Sequence, residues 1–84
     1  MTDDQYKSLG FKCDSEGAYV FEFGCDRITL KESDSMYTLV CTRSDKSKIG
    51  ELSFQRSESS YLVMSSMIRD AITKIILPNK KKLI

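Results

Sequence analysis

The residues that could carry chemistry in this chain are few, and histidine is not among them. Without histidine the chain lacks the commonest general base and metal ligand, and with it the Ser-His-Asp and Cys-His arrangements of nucleophilic catalysis. The four glycines stand singly, so there is no glycine-rich phosphate loop. The adjacent carboxylates Asp3 and Asp4 suit helix capping better than acid–base catalysis. We therefore expect a protein that is not an enzyme and needs no cofactor.

The three cysteines, Cys13, Cys25 and Cys41, are the remaining candidates for a metal or redox site. A zinc ion would need all three thiolates and a carboxylate such as Asp14 or Asp26. Their wide spacing includes no Cys-x-x-Cys pair and matches no zinc pattern. An odd number of cysteines would also leave one thiol outside any disulfide framework, which favours reduced thiols in a cytoplasmic protein. We expect no metal site, and we expect Cys41 to be an ordinary core residue.

A second group of candidate residues is basic. It consists of Lys31, Arg43, Lys46, Lys48, Arg56 and the run Lys80 to Lys82. Such a set can contact the phosphates of a nucleic acid. However, Asp45 and Glu51 lie between these cations, and lysine-rich tails are usually just solvated. The aromatic rings on which bases would stack are predicted to face the core. Nucleic-acid binding is therefore the second interpretation of this chain.

The composition is that of one small folded domain. Of the 84 residues, 40% are apolar and 30% are charged, which is typical of a globular protein. The 13 basic and 12 acidic residues nearly balance, so no overall charge favours a nucleic acid or a membrane. No apolar run reaches the ~20 residues of a membrane span, and the acidic N-terminus is unlike a secretory signal. We expect one cytoplasmic domain over residues 1–78, a basic tail over 79–84, and no membrane association.

The longest helical pattern runs from Ser57 to Leu77, and the predicted fold is organised around it. Its apolar residues recur at steps of three and four: Tyr61, Met64, Ile68, Ala71, Ile72 and Ile75. We expect Ser57 or Ser59 to cap the N-terminus, with Glu58 favouring the positive end of the dipole, and Pro78 to end the helix. Because an amphipathic helix is stable only when its apolar stripe is covered, the upstream residues must supply that cover.

A short helix is predicted from about Asp3 to Ser8. Thr2 and Gln5 have the spacing of a capping box, and Gly10 can take the left-handed conformation that ends a helix. Its inward contacts would be Tyr6 and Leu9. A helix of this length must dock on the sheet to be stable.

Between the two helices the hydrophobic period changes to two, which is typical of β-strands. The predicted strands are Phe11–Cys13, Ala18–Phe23, Arg27–Ser33, Met36–Thr42 and Ile49–Gln55. Gly50 is expected to mark a β-bulge, because Ile49 is out of phase with Leu52. Short turns between the strands predict antiparallel pairing of neighbours. The predicted fold class is α+β: an antiparallel β-meander of four or five strands packed on one C-terminal α-helix, with a short N-terminal helix.

The alternation assigns one face of this sheet to the core. The inward residues are predicted to be Tyr19, Phe21, Phe23, Ile28, Leu30, Tyr37, Leu39, Cys41, Leu52 and Phe54. The outward residues include four that are apolar or neutral, Val20, Met36, Thr38 and Val40. They form either an ordinary solvated face, which the short helix would partly cover, or a patch that binds another protein. An exposed edge strand offers a second route to a partner, by extension of the sheet.

Two resemblances accompany these patterns. The strand Gly50-Glu51-Leu52-Ser53-Phe54 followed by a helix resembles the end of the single-stranded-DNA-binding domains related to the transcriptional coactivator called positive cofactor four. That resemblance is one of topology and implies DNA binding, although this chain lacks the family's dense basic sheet face.

The whole chain has a second resemblance. Its N-terminal stretch Tyr6-Lys7-Ser8-Leu9-Gly10-Phe11, its meander and its final helix resemble small accessory proteins of phages and mobile elements. Some of those bind and block a host protein, as inhibitors of defence nucleases do.

The sequence therefore favours a small non-enzymatic protein-interaction module in the cytoplasm, whose partner is a host protein or a second copy in a homodimer. The candidate partner-binding residues are Val20, Met36, Thr38, Val40, Arg43, Lys46 and Lys48. The alternative is a single-stranded nucleic-acid-binding domain that uses the basic loop and tail. Salt separates the two, because phosphate contacts weaken steeply with salt whereas an apolar patch does not.

Overall fold

A computed structural model, which describes residues 2–58 and 60–81, has the predicted α+β architecture. The elements in chain order are α1 (Asp3–Ser8), β1 (Lys12–Cys13), β2 (Tyr19–Phe23), β3 (Asp26–Glu32), β4 (Met36–Thr42), β5 (Lys48–Gln55), a 3₁₀ turn (Arg56–Glu58), α2 (Tyr61–Ala71), a π turn (Ile72–Ile76) and α3 (Leu77–Lys81). The strands form one antiparallel sheet in the order β1-β2-β3-β4-β5. Sheet order follows chain order, so the sheet is the predicted meander.

Helix α1 begins and ends as the sequence predicts. The Gln5 N–H donates to Thr2 Oγ1 over 3.3 Å, and the Thr2 N–H donates to Gln5 Oε1 over 3.0 Å. These reciprocal bonds form the predicted capping box and satisfy two donors at the helix start. Gly10, just beyond the helix, has a φ of +105°, and a Cβ there would lie 2.8 Å from the Phe21 ring. Glycine thus permits both the turn and the close approach of the chain to β2.

Helix α1 docks on the inner face of the sheet, beside α2. The Tyr6 ring stacks on Tyr19 with centroids 4.3 Å apart, and the Tyr6 and Tyr37 hydroxyls lie 3.3 Å apart. The Tyr19 hydroxyl donates to the Asp3 carboxylate, which lowers the pKa of Asp3 and raises the pKa of Tyr19 to about 12. The Ser8 hydroxyl donates to that of Tyr61 at the start of α2 over 3.3 Å. The suggestion that α1 covers part of the outer face is therefore wrong.

The core lies between the inner face and α2. Its largest fully buried side chains are Ile28, Leu39, Cys41, Met64 and Ile76. Helix α2 starts later than predicted because its cap is Ser60, whose Oγ accepts the Val63 N–H over 3.2 Å. Ser57 and Glu58 lie in the preceding 3₁₀ turn, so their predicted roles at the start of α2 are wrong. The other predicted cap, Ser59, lies outside the described residues.

A π turn interrupts the long helix after Ala71. The Leu77 N–H donates to the carbonyl of Ile72, five residues back, so this turn holds one residue more than an α-helical turn. The extra residue shifts the buried side of the helix. As a result Ile76 is 0% exposed, whereas the predicted contact Ile75 is only half-buried. The sequence pattern, read with a constant period, missed Ile76.

The prediction that the helix ends at Pro78 is also wrong, because α3 runs from Leu77 to Lys81. Proline disrupts a regular α-helix by clashing with the carbonyl four residues back, but Pro78 follows a π turn, in which hydrogen bonds run five residues back. Asn79 reinforces the junction, since its Nδ2 donates to the carbonyl of Ile75 over 2.7 Å. Of the predicted basic tail, the Lys80 and Lys81 side chains and residues 82–84 lie outside what the structure describes.

Gly50 lets the π turn approach strand β5. The register between β4 and β5 pairs Cys41 with Gly50 and Thr42 with Lys48, so Ile49 is the extra residue of the predicted bulge. A Cβ at position 50 would lie only 2.8 Å from Ile75 Cγ2. The missing side chain is therefore what allows Ile75 to lie on the strand.

This contact predicts the effect of Gly50→Ala. We expect the substitution to lower the free energy of unfolding by about 1–3 kcal/mol, because the new methyl overpacks against Ile75. In an Ile75→Ala background the same change should cost nothing or stabilise the strand. Urea denaturation of both single variants and the double variant gives the coupling energy, which removes strand propensity from the comparison. A zero coupling energy would contradict the contact.

Candidate interaction surface

The outer face of the sheet is the side opposite α1 and α2. The strand register arranges its residues in rows that cross the sheet. The central row is Lys12, Val20, Thr29, Val40 and Glu51, one residue from each strand. The flanking rows are Glu22, Arg27, Thr42 and Lys48 on one side, and Lys31, Thr38 and Ser53 on the other. Two valines and one threonine thus occupy the middle of the central row, with charged residues at its ends and in both flanking rows.

The four residues that the alternation predicted to point outward lie on this face, but they differ in how exposed they are. Val20 is only 5% exposed although it is not part of the core cluster. It lines a depression of about 140 Å³ together with Lys12, Glu22 and Arg27. Val40, Thr38 and Met36 are half-buried, and Thr38 Oγ1 forms a 3.0 Å hydrogen bond with Ser53. The apolar part of the face is therefore narrow and centred on Val40.

Strand β5 is the long free edge of the sheet. It runs from Lys48 to Gln55, pairs with β4 on one side, and has no strand on the other among the described residues. The opposite edge, β1, has only 2 residues. An edge strand presents unpaired N–H and C=O groups to solvent. The sequence predicted an exposed edge strand, and β5 is such a strand. Its pairing with β4 is regular from Gly50 onward.

The basic loop between β4 and β5 is a tight, internally bonded turn. The Arg43 N–H donates to the Ser47 carbonyl and the Lys46 N–H to the Arg43 carbonyl, each over 2.9 Å. Asp45 Oδ1 accepts bonds from the Ser47 N–H and hydroxyl. These bonds, and secondarily the charge of Arg43, lower the pKa of Asp45. Lys48, by contrast, lies in β5 and forms a 3.2 Å ion pair with its Glu51 neighbour.

A third cation, Arg27, lies near Arg43 and Lys46. Arg27 was not among the basic candidates identified from the sequence. These three residues line one depression of about 190 Å³, and the others lining it are Cys25, Thr42 and Ser44. A meander puts the β2–β3 and β4–β5 turns at the same end of the sheet. That rule could have joined Arg27 to the basic loop from the sequence alone.

Two other basic candidates, Arg56 and Lys31, do not line this depression. Arg56 lies beyond β5, with its guanidinium 5.3 Å from the centre of the Tyr37 ring and its Nη1 donating to the Ser33 carbonyl. Lys31 is on the outer face, in the row of Thr38. The structure therefore does not unite the basic set predicted from the sequence. Of the candidates whose side chains the structure describes, Arg43 and Lys46 line the depression, and Lys48 pairs with Thr42 beside it.

The cysteines differ in exposure. Cys13 and Cys25 are exposed and Cys41 is buried, all three as free thiols. Burial, with a smaller contribution from the charge of Asp26, raises the pKa of Cys41 to about 11. The prediction that Cys41 is a core residue is thus confirmed. Asp26 itself is 9% exposed and was not predicted to face inward.

Within residues 2–58 and 60–81, no three metal-ligating side chains come together. The same part of the chain contains no helix that is long and apolar enough to cross a membrane.

Comparison with known proteins found no matching family model, no matching curated protein and no matching solved structure. Function must therefore be inferred from the geometry of this chain alone. The resemblances to single-stranded-DNA-binding domains and to phage accessory proteins stay predictions.

The two faces of β4 predict opposite effects for neighbouring substitutions. Leu39 is fully buried, so Leu39→Lys places an unpaired charge in the core and should cost more than about 4 kcal/mol, enough to unfold so small a domain. Val40→Lys puts the same side chain on the outer face, and we expect a change within about 1 kcal/mol. Circular dichroism during thermal and urea unfolding measures both. If Val40→Lys also failed to fold, the open outer face would be refuted.

Proposed function

We propose that this protein is a small binding module without catalytic activity, which recognises a protein partner through the outer face and the free edge of β5. One observation carries the proposal. Helices α1 and α2 both pack on the inner face, so neither of them covers the outer face. A sheet with one bare face that includes apolar residues is a ready surface for another protein.

The order of residues on that face suits an interface. Val20, Thr29 and Val40 form the middle of the central row, and the charged Lys12 and Glu51 stand at its two ends. Protein interfaces commonly have an apolar centre and a polar rim that excludes water. The opposite signs at the two ends would also fix the orientation of a partner.

The free edge of β5 adds backbone groups to this surface. From Gly50 to Gln55 the strand pairs regularly with β4, so its outer edge is regular as well. A partner strand can pair with such an edge through main-chain hydrogen bonds, while side chains on alternate positions supply specificity. Face and edge adjoin at Glu51 and Ser53, which belong to both.

A host protein is the partner that the resemblance to phage and mobile-element proteins supports. Binding that covers a functional surface of that protein would inhibit it without chemistry by this chain. The free thiols of Cys13 and Cys25 on the surface support a reducing, cytoplasmic location.

Single-stranded nucleic-acid binding is the second candidate, and the joining of Arg27, Arg43 and Lys46 around one depression favours it. The remainder of the surface supports it less. Tyr19, Phe21 and the other sheet aromatics pack against the core, so the rows of the outer face contain no ring for bases to stack on.

Affinity capture from a lysate of the native host tests the proposal, with wild type, Val40→Arg and the control Ser66→Arg on the exposed side of α2. We expect wild type and the control to retain the same protein at ~0.5 M salt, where charge interactions are largely screened. Val40→Arg should retain at least tenfold less, since it puts a charge at the apolar centre (about 1.4 kcal/mol per factor of ten).

Equal retention by Val40→Arg and wild type would contradict binding through the outer face. Capture of nucleic acid that salt releases, and that Val40→Arg does not affect, would favour the second candidate. Melting temperatures of all three proteins must match, so that a loss of binding is not a loss of folding.

A further inference from the structure

We propose that the depression lined by Arg27, Arg43 and Lys46, here called the basic depression, binds a phosphate group. The ligand class is a phosphate monoester or diester, as carried by a nucleotide or by a nucleic-acid strand. This site adjoins the Val20 depression, with which it shares Arg27, but it does not depend on the protein-binding function.

The fold brings the three cations together from two distant parts of the sequence. Arg27 is the second residue of β3 and pairs with Thr42 at the end of β4. Arg43 follows Thr42 directly and starts the loop that holds Lys46. The tight bonding of that loop, through Arg43, Lys46 and Ser47, holds the backbone of both cations in place. The backbone that carries Arg43 and Lys46 is therefore ordered before any ligand arrives, so binding has to order only the side chains.

The positive charge of the basic depression is only partly balanced. Three cations line the depression, and two carboxylates near them are Glu22, whose Oε1 lies 4.0 Å from Arg27 Nη2, and Asp45. Asp45 lies in the same loop, where its Oδ1 accepts two bonds from Ser47 and the charge of Arg43 contributes to lowering its pKa, so it offsets part of the positive charge. Two guanidinium groups thus have donors left for phosphate oxygens, with which arginine forms paired, charge-assisted bonds.

The remaining lining suits the same ligand. Thr42 and Ser44 add hydroxyl donors at the walls of the depression. Its volume of about 190 Å³ exceeds that of several waters, at ~30 Å³ each, so a phosphate group fits with part of its hydration shell. Lys46 has a φ of +70°, a conformation that favours glycine, and a lysine there keeps an ammonium group on the rim.

The three native cysteines allow a direct footprint of the site. Cys25 lines the basic depression, Cys13 is exposed outside it, and Cys41 is buried and should not react. The test is the rate of alkylation by the uncharged reagent iodoacetamide, read for each cysteine by peptide mass spectrometry. Inorganic phosphate is compared with chloride at equal ionic strength and pH. At a Kd of ~5 mM, 10 mM phosphate fills about two-thirds of the sites and slows Cys25 about threefold, while Cys13 is unchanged.

A pair of charge-matched variants decides whether the cations are responsible. Arg43→Gln with Lys46→Gln should abolish the protection of Cys25. Lys31→Gln with Lys74→Gln removes the same charge elsewhere and should leave the protection intact. The proposal is overturned if phosphate slows Cys13 and Cys25 equally, if it slows neither, or if protection persists without Arg43 and Lys46.

The same footprint distinguishes the sources of the phosphate group. A site for a small ligand predicts that a thymidine mononucleotide protects Cys25 as well as an oligothymidylate does at equal phosphate concentration. A site for a strand predicts protection by the oligomer at a concentration at least tenfold lower, and loss of that protection in high salt. The Val40→Arg variant should keep the footprint in either case, so failure of the protein-binding proposal would not affect this one.

Discussion

A single sheet has two faces, and this chain supplies helical cover for one of them. The inner face meets α2 through Ile68 and Met64, and Tyr6 of α1 fills the remaining corner beside Tyr19. This one-sided packing accounts for the strict alternation of the strands and for the concentration of aromatic rings on the inner side. It also requires close contact at the sheet margin, where Gly50 admits Ile75.

Much of this fold could be predicted from the sequence, because the rules involved are local. The capping box of Thr2 and Gln5 and the period-two alternation each depend on residues a few positions apart. The π turn could not be predicted, since no local signal marks the added residue that buries Ile76 instead of Ile75. Its stabilising contact is with Gly50 in a different element, and only the tertiary structure brings the two together.

The candidate surface, too, could be predicted from the sequence only in part. The outward direction of Val20, Thr38 and Val40 followed from the alternation, whereas the low exposure of Val20, in a depression lined also by Lys12, Glu22 and Arg27, did not. The basic loop was evident in the sequence, but its union with Arg27 comes from the meander, which sets two turns side by side. Lys48 was grouped with that loop because it is close in sequence, but it is the first residue of β5 and forms an ion pair with Glu51.

The proposed binding surface requires that the outer face be accessible to solvent. Methyl NMR measures that accessibility directly. A soluble paramagnetic agent relaxes the methyl groups that it can approach. If the outer face is open, the methyls of Val40 should relax several-fold faster than those of Leu39 and Ile28, which are fully buried. Equal protection of Val40 and Leu39 in the isolated monomer would contradict an open face.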